Sequence, residues 1–265
     1  MQLNSFSLRT ISALVLAPPV LMAAWFGRPA FDLLALLAVV ILCWEWSHVT
    51  ERRYGASGVT ATLFALAAVM YYDEPLAVLA FTVSGAIAAG FFRRGAGAGW
   101  AAGGVFYIAF PVAALLWLRN VTGPETLFWL LFVVWATDIG AYIFGRLIGG
   151  PKLAPAISPK KTWAGLGGGM ASAALVGWAA SSYFQGQSPF LAGPFLAGAG
   201  GAALAVLAQG GDLLESHVKR RFGVKDSSQL IPGHGGLMDR VDGLLAAAPA
   251  VALALWAQEK GFAAW

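Results

Sequence analysis

The sequence predicts an all-α, polytopic integral membrane protein with about nine transmembrane helices. Three observations carry that prediction. Hydrophobic residues make up 58% of the 265-residue chain and charged residues only 11%, where a globular domain carries about a quarter charged. A mean hydropathy of +0.70 leaves no water-facing arrangement for so much apolar surface, so the surrounding solvent must be largely the lipid bilayer. Apolar stretches near the roughly 20 residues that a span needs recur from end to end, separated by short polar or Gly/Pro punctuation.

Those stretches lie near residues 10–27, 31–49, 57–72, 75–92, 101–118, 126–145, 165–184, 190–208 and 243–258. The first has a thin basic flank (Arg9), is interrupted by Pro18-Pro19 and is followed directly by more apolar segments. It therefore reads as a retained span and not as a cleaved signal. The stretches 57–72 and 243–258 are only just long enough to cross. Gly165–Ala180 and Leu191–Ala208 are rich in small residues, a composition that lets helices approach closely in lipid and would permit a homodimer. The single cysteine, Cys43, sits inside an apolar run and excludes a disulfide framework or a Cys-based zinc site.

Basic residues set the orientation. If the N-terminus and the even-numbered gaps share one side, the other side keeps only Arg28, Arg119 and Lys260 of the 17 basic residues. The basic-rich side is expected to be cytoplasmic. The net charge of +4 is modest, and no nucleic-acid partner is expected.

Two polar stretches break the apolar pattern, both on the basic side. The first runs from Asp138 to Gly165. Asp138 lies within or at the end of an apolar helix, where a carboxylate is costly unless it meets a cation or water, so it is a functional candidate. Its plainer reading is an Asp snorkelling to the interface. Ser158-Pro159-Lys160-Lys161-Thr162 then sets two ammonium groups and two hydroxyls before a Gly-rich helix. Lysine suits phosphate oxygens as a point charge, and a helix N-terminus adds free N–H groups. Fixing topology would account for the lysines, but not for the hydroxyls beside them.

The second stretch, Gln209 to Gly243, is denser. Five of the 13 acidic residues lie in it: Asp212, Glu215, Asp226, Asp239 and Asp242. Asp212, Glu215 and Ser216 share one face if helical, and Asp239 and Asp242 repeat the three-residue spacing. Carboxylates converging beside Lys and Arg suit a divalent cation together with a polyphosphate, because magnesium takes one or two carboxylates plus substrate phosphates. Gly233, Gly235 and Gly236 let backbone N–H groups approach an anion. Each piece again has a plainer reading. Asp239 and Asp242 suit helix capping, and Lys219, Arg220 and Arg221 suit topology. His234 belongs to no zinc spacing, so a turn residue or a phosphate contact fits it better than a metal ligand.

The run Ser216-His217-Val218-Lys219-Arg220, then Lys225-Asp226, then Ile231-Pro232-Gly233-His234-Gly235-Gly236-Leu237-Met238-Asp239-Arg240-Val241-Asp242 resembles the signature of the phosphatidate cytidylyltransferases (CDP-diacylglycerol synthases). The match spans 27 positions without a gap. Segments Asp138–Gly145 and Ser158–Gly165 also look like motifs of that family, whereas the first four helices carry little diagnostic content.

The resemblance implies transfer of CMP from CTP to phosphatidic acid, giving CDP-diacylglycerol and pyrophosphate in phospholipid biosynthesis. It implies Mg²⁺, with room for a second cation, held foremost by Asp212 and Asp239, with Asp242 and Glu215 as direct or supporting ligands. Lys160, Lys161, Lys219, Arg220, Lys225 and Arg240 become candidate phosphate clamps, Lys219 and Arg240 at the reacting groups. Ser158, Thr162, Asp226, His234, Gly235, Gly236 and Asp138 join them as candidate substrate contacts. The expected organisation is one membrane-embedded catalytic domain over 1–265. Its N-terminal helices occupy 1–125, and its catalytic helices occupy 126–265 with polar loops 138–165 and 209–243. The expected location is a bacterial-type inner membrane with the active site facing the cytoplasm. The rivals are a cytidylyltransferase for another lipid or polyprenyl phosphate, and a transporter of anionic lipid. Against the transporter, the polar residues cluster in two loops on one side and not at the bilayer midplane.

Overall fold

The computed structural model describes residues 5–183 and 193–259. Among them the chain forms nine α-helices: α1 (Ser5–Phe26), α2 (Ala30–Glu51), α3 (Ala56–Met70), α4 (Pro75–Arg93), α5 (Ala98–Val121), α6 (Pro124–Leu147), α7 (Trp163–Tyr183), α8 (Pro194–Arg221) and α9 (Met238–Glu259). A two-stranded antiparallel hairpin, β1 (Lys152–Ala154) and β2 (Ser158–Thr162), stands between α6 and α7. Lys260, and positions 184 and 190–192 of two expected helices, lie outside the described residues.

The apolar runs became helices because in lipid every backbone N–H and C=O must be satisfied within its own segment. Prolines Pro18, Pro19, Pro111 and Pro249 sit inside helices, a placement that spans tolerate better than soluble helices do. Among the described residues six helices are long and apolar enough to cross a membrane: α2, α4, α5 with the short turn before it, α6, α8 and α9. The 15-residue α3 is shorter than a full crossing, and α7 is diluted in hydropathy by its glycines. Large apolar side chains point outward along the helices, as at Leu76 (82% exposed) and Ile87 (69% exposed). That outward face suits lipid and would be a liability in water. The chain is an integral membrane protein.

Two differences from the sequence reading bear on the polar stretches. Residues 209–221 are the last turns of α8 and not loop, so the true loop is 222–237. The stretch 138–165 is mostly the end of α6 and the hairpin.

The chain divides into two compact units, Met1–Val121 with Val218–Val241, and Thr122–His217 with Asp242–Trp265. In the first, α2 to α5 bury Val39, Leu42, Cys43, Ala65, Val105 and Ile108. The Trp46 indole donates to Trp100 O at 2.8 Å, and the Arg119 guanidinium caps the end of α1 at Ala24 O and Trp25 O. In the second, glycine allows near backbone contact. A Cβ at Gly140 would lie 2.7 Å from Gly168 O, and one at Gly201 would lie 2.5 Å from Ala173 O. The Gly/Ala-rich runs therefore do pack helix on helix, as small residues allow in lipid.

Candidate active site

In the second unit, Lys161 and Asp212 meet. Lys161 is half-buried on β2, and its Nζ lies 2.6 Å from Asp212 Oδ2 and 3.4 Å from Gln209 O. Ser216, one turn further along α8, donates to Asp212 Oδ1 at 3.2 Å. Gln209 Nε2 reaches the exposed Asp138 of α6 at 3.5 Å. Asp242 stands close enough that Asp212, Asp138 and Lys161 all act on it electrostatically. Gly211 explains that proximity: a Cβ there would lie 2.7 Å from Asp242 O and 2.5 Å from Ala246 Cβ, so α8 and α9 touch beside these carboxylates. The Asp242 carboxylate accepts from the N–H of Gly243 at 2.8 Å. Glu215 is buried on α8, three residues beyond Asp212.

The other candidates of this unit divide. Lys160 is exposed on β2 and free to meet an anion, while Ser158 is half-buried. Thr162 is buried, and its Oγ1 accepts from Gly165 N at 3.0 Å. That is a cap on the first turn of α7, so the hydroxyl is occupied with ending a strand and starting a helix.

In the first unit, Asp239 is held on every side. Lys219 Nζ lies 2.5 Å from Oδ1, while Oδ2 accepts from Ser227 N at 2.9 Å, Ser227 Oγ at 2.8 Å and Gly236 N at 2.8 Å. The bond from Gly236 N comes from three residues back, across the start of α9. Both partners of the ion pair are largely buried, Lys219 at 10% and Asp239 at 5% side-chain exposure. Gly235 has φ +88°, and a Cβ there would fall 2.8 Å from Asp239 Oδ2. Gly236 is filled in the same way by Ser227 Oγ and Glu45 Oε1. These glycines bring backbone up to carboxylates of the protein itself.

His234 Nδ1 lies 2.9 Å from Ser12 Oγ of α1, which also donates to Pro232 O at 3.0 Å. This supports the turn reading of His234. Arg220, Lys225, Asp226 and Arg240 are exposed, and Arg220 donates to Val224 O at 3.0 Å.

The sequence reading passed over Glu45, Ser227 and Gln209. Glu45 lies in the apolar run of α2, fully buried. It accepts from Ser228 Oγ at 2.6 Å, Leu237 N at 2.8 Å and Met238 N at 2.7 Å. The signal was present, since an ionisable residue inside a span is a functional candidate by default. The same rule singled out Asp138.

The donor sets can be weighed against magnesium. Among the described residues no three His, Cys, Asp or Glu side chains gather as a metal cage. Magnesium does not need one, because it keeps waters and substrate oxygens beside one or two carboxylates. Asp212, Asp242 and Asp138, opposed by one lysine, fit that requirement. Asp239 already takes four donors, so its oxygens could turn to a metal only if Lys219 let go.

Each unit of this integral membrane chain thus carries one lysine–carboxylate pair, and comparison with known proteins gives the class, a membrane-embedded nucleotidyltransferase. The chain belongs to the cytidylyltransferase family, whose profile matches residues 7–257. It is 38% identical over 252 residues to a phosphatidate cytidylyltransferase of Brucella suis, covering 93% of this chain and 92% of the relative. It is 36% identical over 271 residues to the protein of that name from Pseudomonas aeruginosa, covering 94% and 96%. The Haemophilus influenzae protein of that name is 33% identical over 290 residues, covering 91% and 95%.

Proposed function

We propose that this chain transfers CMP from CTP to phosphatidic acid, giving CDP-diacylglycerol and pyrophosphate. The observation that carries the proposal is the similarity to proteins named phosphatidate cytidylyltransferase along more than nine-tenths of the chain. The side chains supply matching chemistry. A phosphate oxygen of phosphatidic acid forms a bond to the α-phosphorus of CTP, and the bond from that phosphorus to the bridging oxygen of the β-phosphate breaks. The attacking oxygen is already ionised at neutral pH, so no side chain has to remove a proton. The protein's work is to offset repulsion between two polyanions and hold them in line.

Lys160, exposed on β2, and Lys161, shared with Asp212, are cations of the second unit that can take phosphate oxygens. Arg220, Lys225 and Arg240 offer exposed cations in the first. Magnesium, held by Asp212 with Asp242 beside it, would neutralise the leaving pyrophosphate. Asp239 joins as a ligand only with Lys219 displaced. We further propose that all nine helices cross or enter the bilayer. The basic-rich side would face the cytoplasm of an inner membrane, so that CTP arrives from water and phosphatidic acid from the lipid.

The test is direct. Protein purified in detergent, given phosphatidic acid, labelled CTP and Mg²⁺, should yield a lipid-soluble cytidine product. Label that stays in water with phosphatidic acid present, but enters lipid with another lipid phosphate, would overturn the acceptor.

A further inference from the structure

We infer that Glu45 is a positioning residue for this reaction: its buried carboxylate holds the segment Asp226–Met238 closed and thereby sets the Lys219–Asp239 pair. The inference rests on the function proposed above, but its structural part can be tested without it. Glu45 is 0% exposed near the end of a 22-residue apolar helix. A carboxylate placed there is expensive unless its oxygens are well supplied with donors. Its donors all come from one distant stretch of chain: Ser228 Oγ at 2.6 Å, Leu237 N at 2.8 Å and Met238 N at 2.7 Å. Leu237 immediately precedes α9 and Met238 opens it, and the first N–H groups of a helix have no partner within it. Glu45 supplies from another helix the acceptor that a cap normally supplies locally.

Two carboxylates therefore close the loop between them. Asp239 takes Ser227 and Gly236, and Glu45 takes Ser228, Leu237 and Met238. Each draws on both ends of the segment. Between those ends the segment is also tied by Ile231 N to Gly235 O, by His234 N to Ile231 O and by Ser12 of α1 at Pro232 and His234, while Lys225, Asp226, Leu230 and Pro232 face outward. Gly236 sits between the two carboxylates, with no space for a Cβ between Ser227 Oγ and Glu45 Oε1. If Glu45 loses its charge, Ser228, Leu237 and Met238 lose their anionic acceptor beside the Gly236 turn. Asp239 then meets Lys219 from an unfixed backbone.

Glu45→Gln keeps the volume but turns an amide NH₂ toward backbone donors. In the assay above, kcat should fall by about tenfold to a hundredfold, the scale of a small misplacement of reacting groups. KM for CTP should change little, because the exposed cations remain. A cysteine at Leu230, which is 50% exposed, reports the loop; the natural Cys43 is buried. L230C alone should keep activity. In L230C/E45Q the rate of thiol modification should rise about tenfold or more, the change that follows loss of one charged hydrogen bond. Normal kcat, a rise in KM alone, or a fall in kcat with unchanged thiol reactivity would each overturn the inference. If Glu45→Gln fails to fold, Ser228→Ala removes one of the three contacts without stranding a charge. It must then lower kcat and raise Leu230→Cys reactivity in the same direction, and no change in either overturns the inference. A wild-type protein that makes no cytidine lipid defeats the proposed function instead, and the thiol rates then decide the Glu45 anchor alone.

Discussion

The two lysine–carboxylate pairs look alike in the sequence and differ in the structure. Lys219–Asp239 is buried, and its carboxylate is filled by four donors. Lys161–Asp212 is partly open, at 15% and 33% side-chain exposure, with Asp242 and Asp138 as further negative charge nearby. A carboxylate saturated by the protein's own donors fixes shape. One left partly unfilled beside like charges is ready for a cation. The difference lies in which oxygens are already occupied, and residue type alone does not reveal it.

Asp239→Asn should have the largest effect and should strike folding as well as activity. Its amide NH₂ must face either the Lys219 ammonium or three donors. Breaking a buried pair from one side typically costs about 3–5 kcal/mol. We expect a lower melting temperature in detergent together with a loss of activity of about a hundredfold or more. Wild-type melting in this variant would erase the contrast between the two pairs.

Asp212→Asn should lose activity by about a hundredfold but melt like the parent, because Ser216 and Lys161 still have water and Gln209 near them. Raising Mg²⁺ should restore part of this loss, and none of the loss at Asp239. Equal rescue at both positions would mean that Lys219 does yield Asp239 to the metal. In the same unit, removing both lysines as Lys160→Ala/Lys161→Ala should lower kcat/KM about ten- to hundredfold, the cost of charge-assisted bonds to phosphate. Unchanged kinetics would return them to a role in membrane orientation.

The smallest effect belongs to Thr162. As a cap it should cost about 1 kcal/mol of stability when changed to Ala, read as a modest drop in melting temperature with kinetics nearly intact. A large rise in KM would restore it to the substrate contacts.

Hydropathy made the helices legible because lipid leaves the backbone few alternatives. It misjudged the end of α8 because apolar content stops near Ala208, whereas hydrogen bonding continues to Arg221. The helical spacing of Asp212, Glu215 and Ser216 already pointed that way. The hairpin at 152–162 is too short to leave a periodic pattern. The acidic and basic residues around the loop were visible as a cluster, but their pairing was not. Nothing in the spacing says that Asp239 takes Lys219 or that Asp212 takes Lys161. Glu45 was hidden by its setting, since an apolar run of such length reads as anchor and its one carboxylate passes as an exception.

Glu45 and Met238 are separated by 193 positions along the chain. At about 5–20 residues per second, synthesis takes roughly 10–40 s to cover that distance. For that interval a newborn chain holds a carboxylate in its second helix with none of the donors it will finally bind. Through that interval the carboxylate lacks Leu237 and Met238, and the arrival of α9 ends the wait. A chain that stops before Ser228 lacks all three of these donors, so its second helix ends with the final partners of Glu45 unmade.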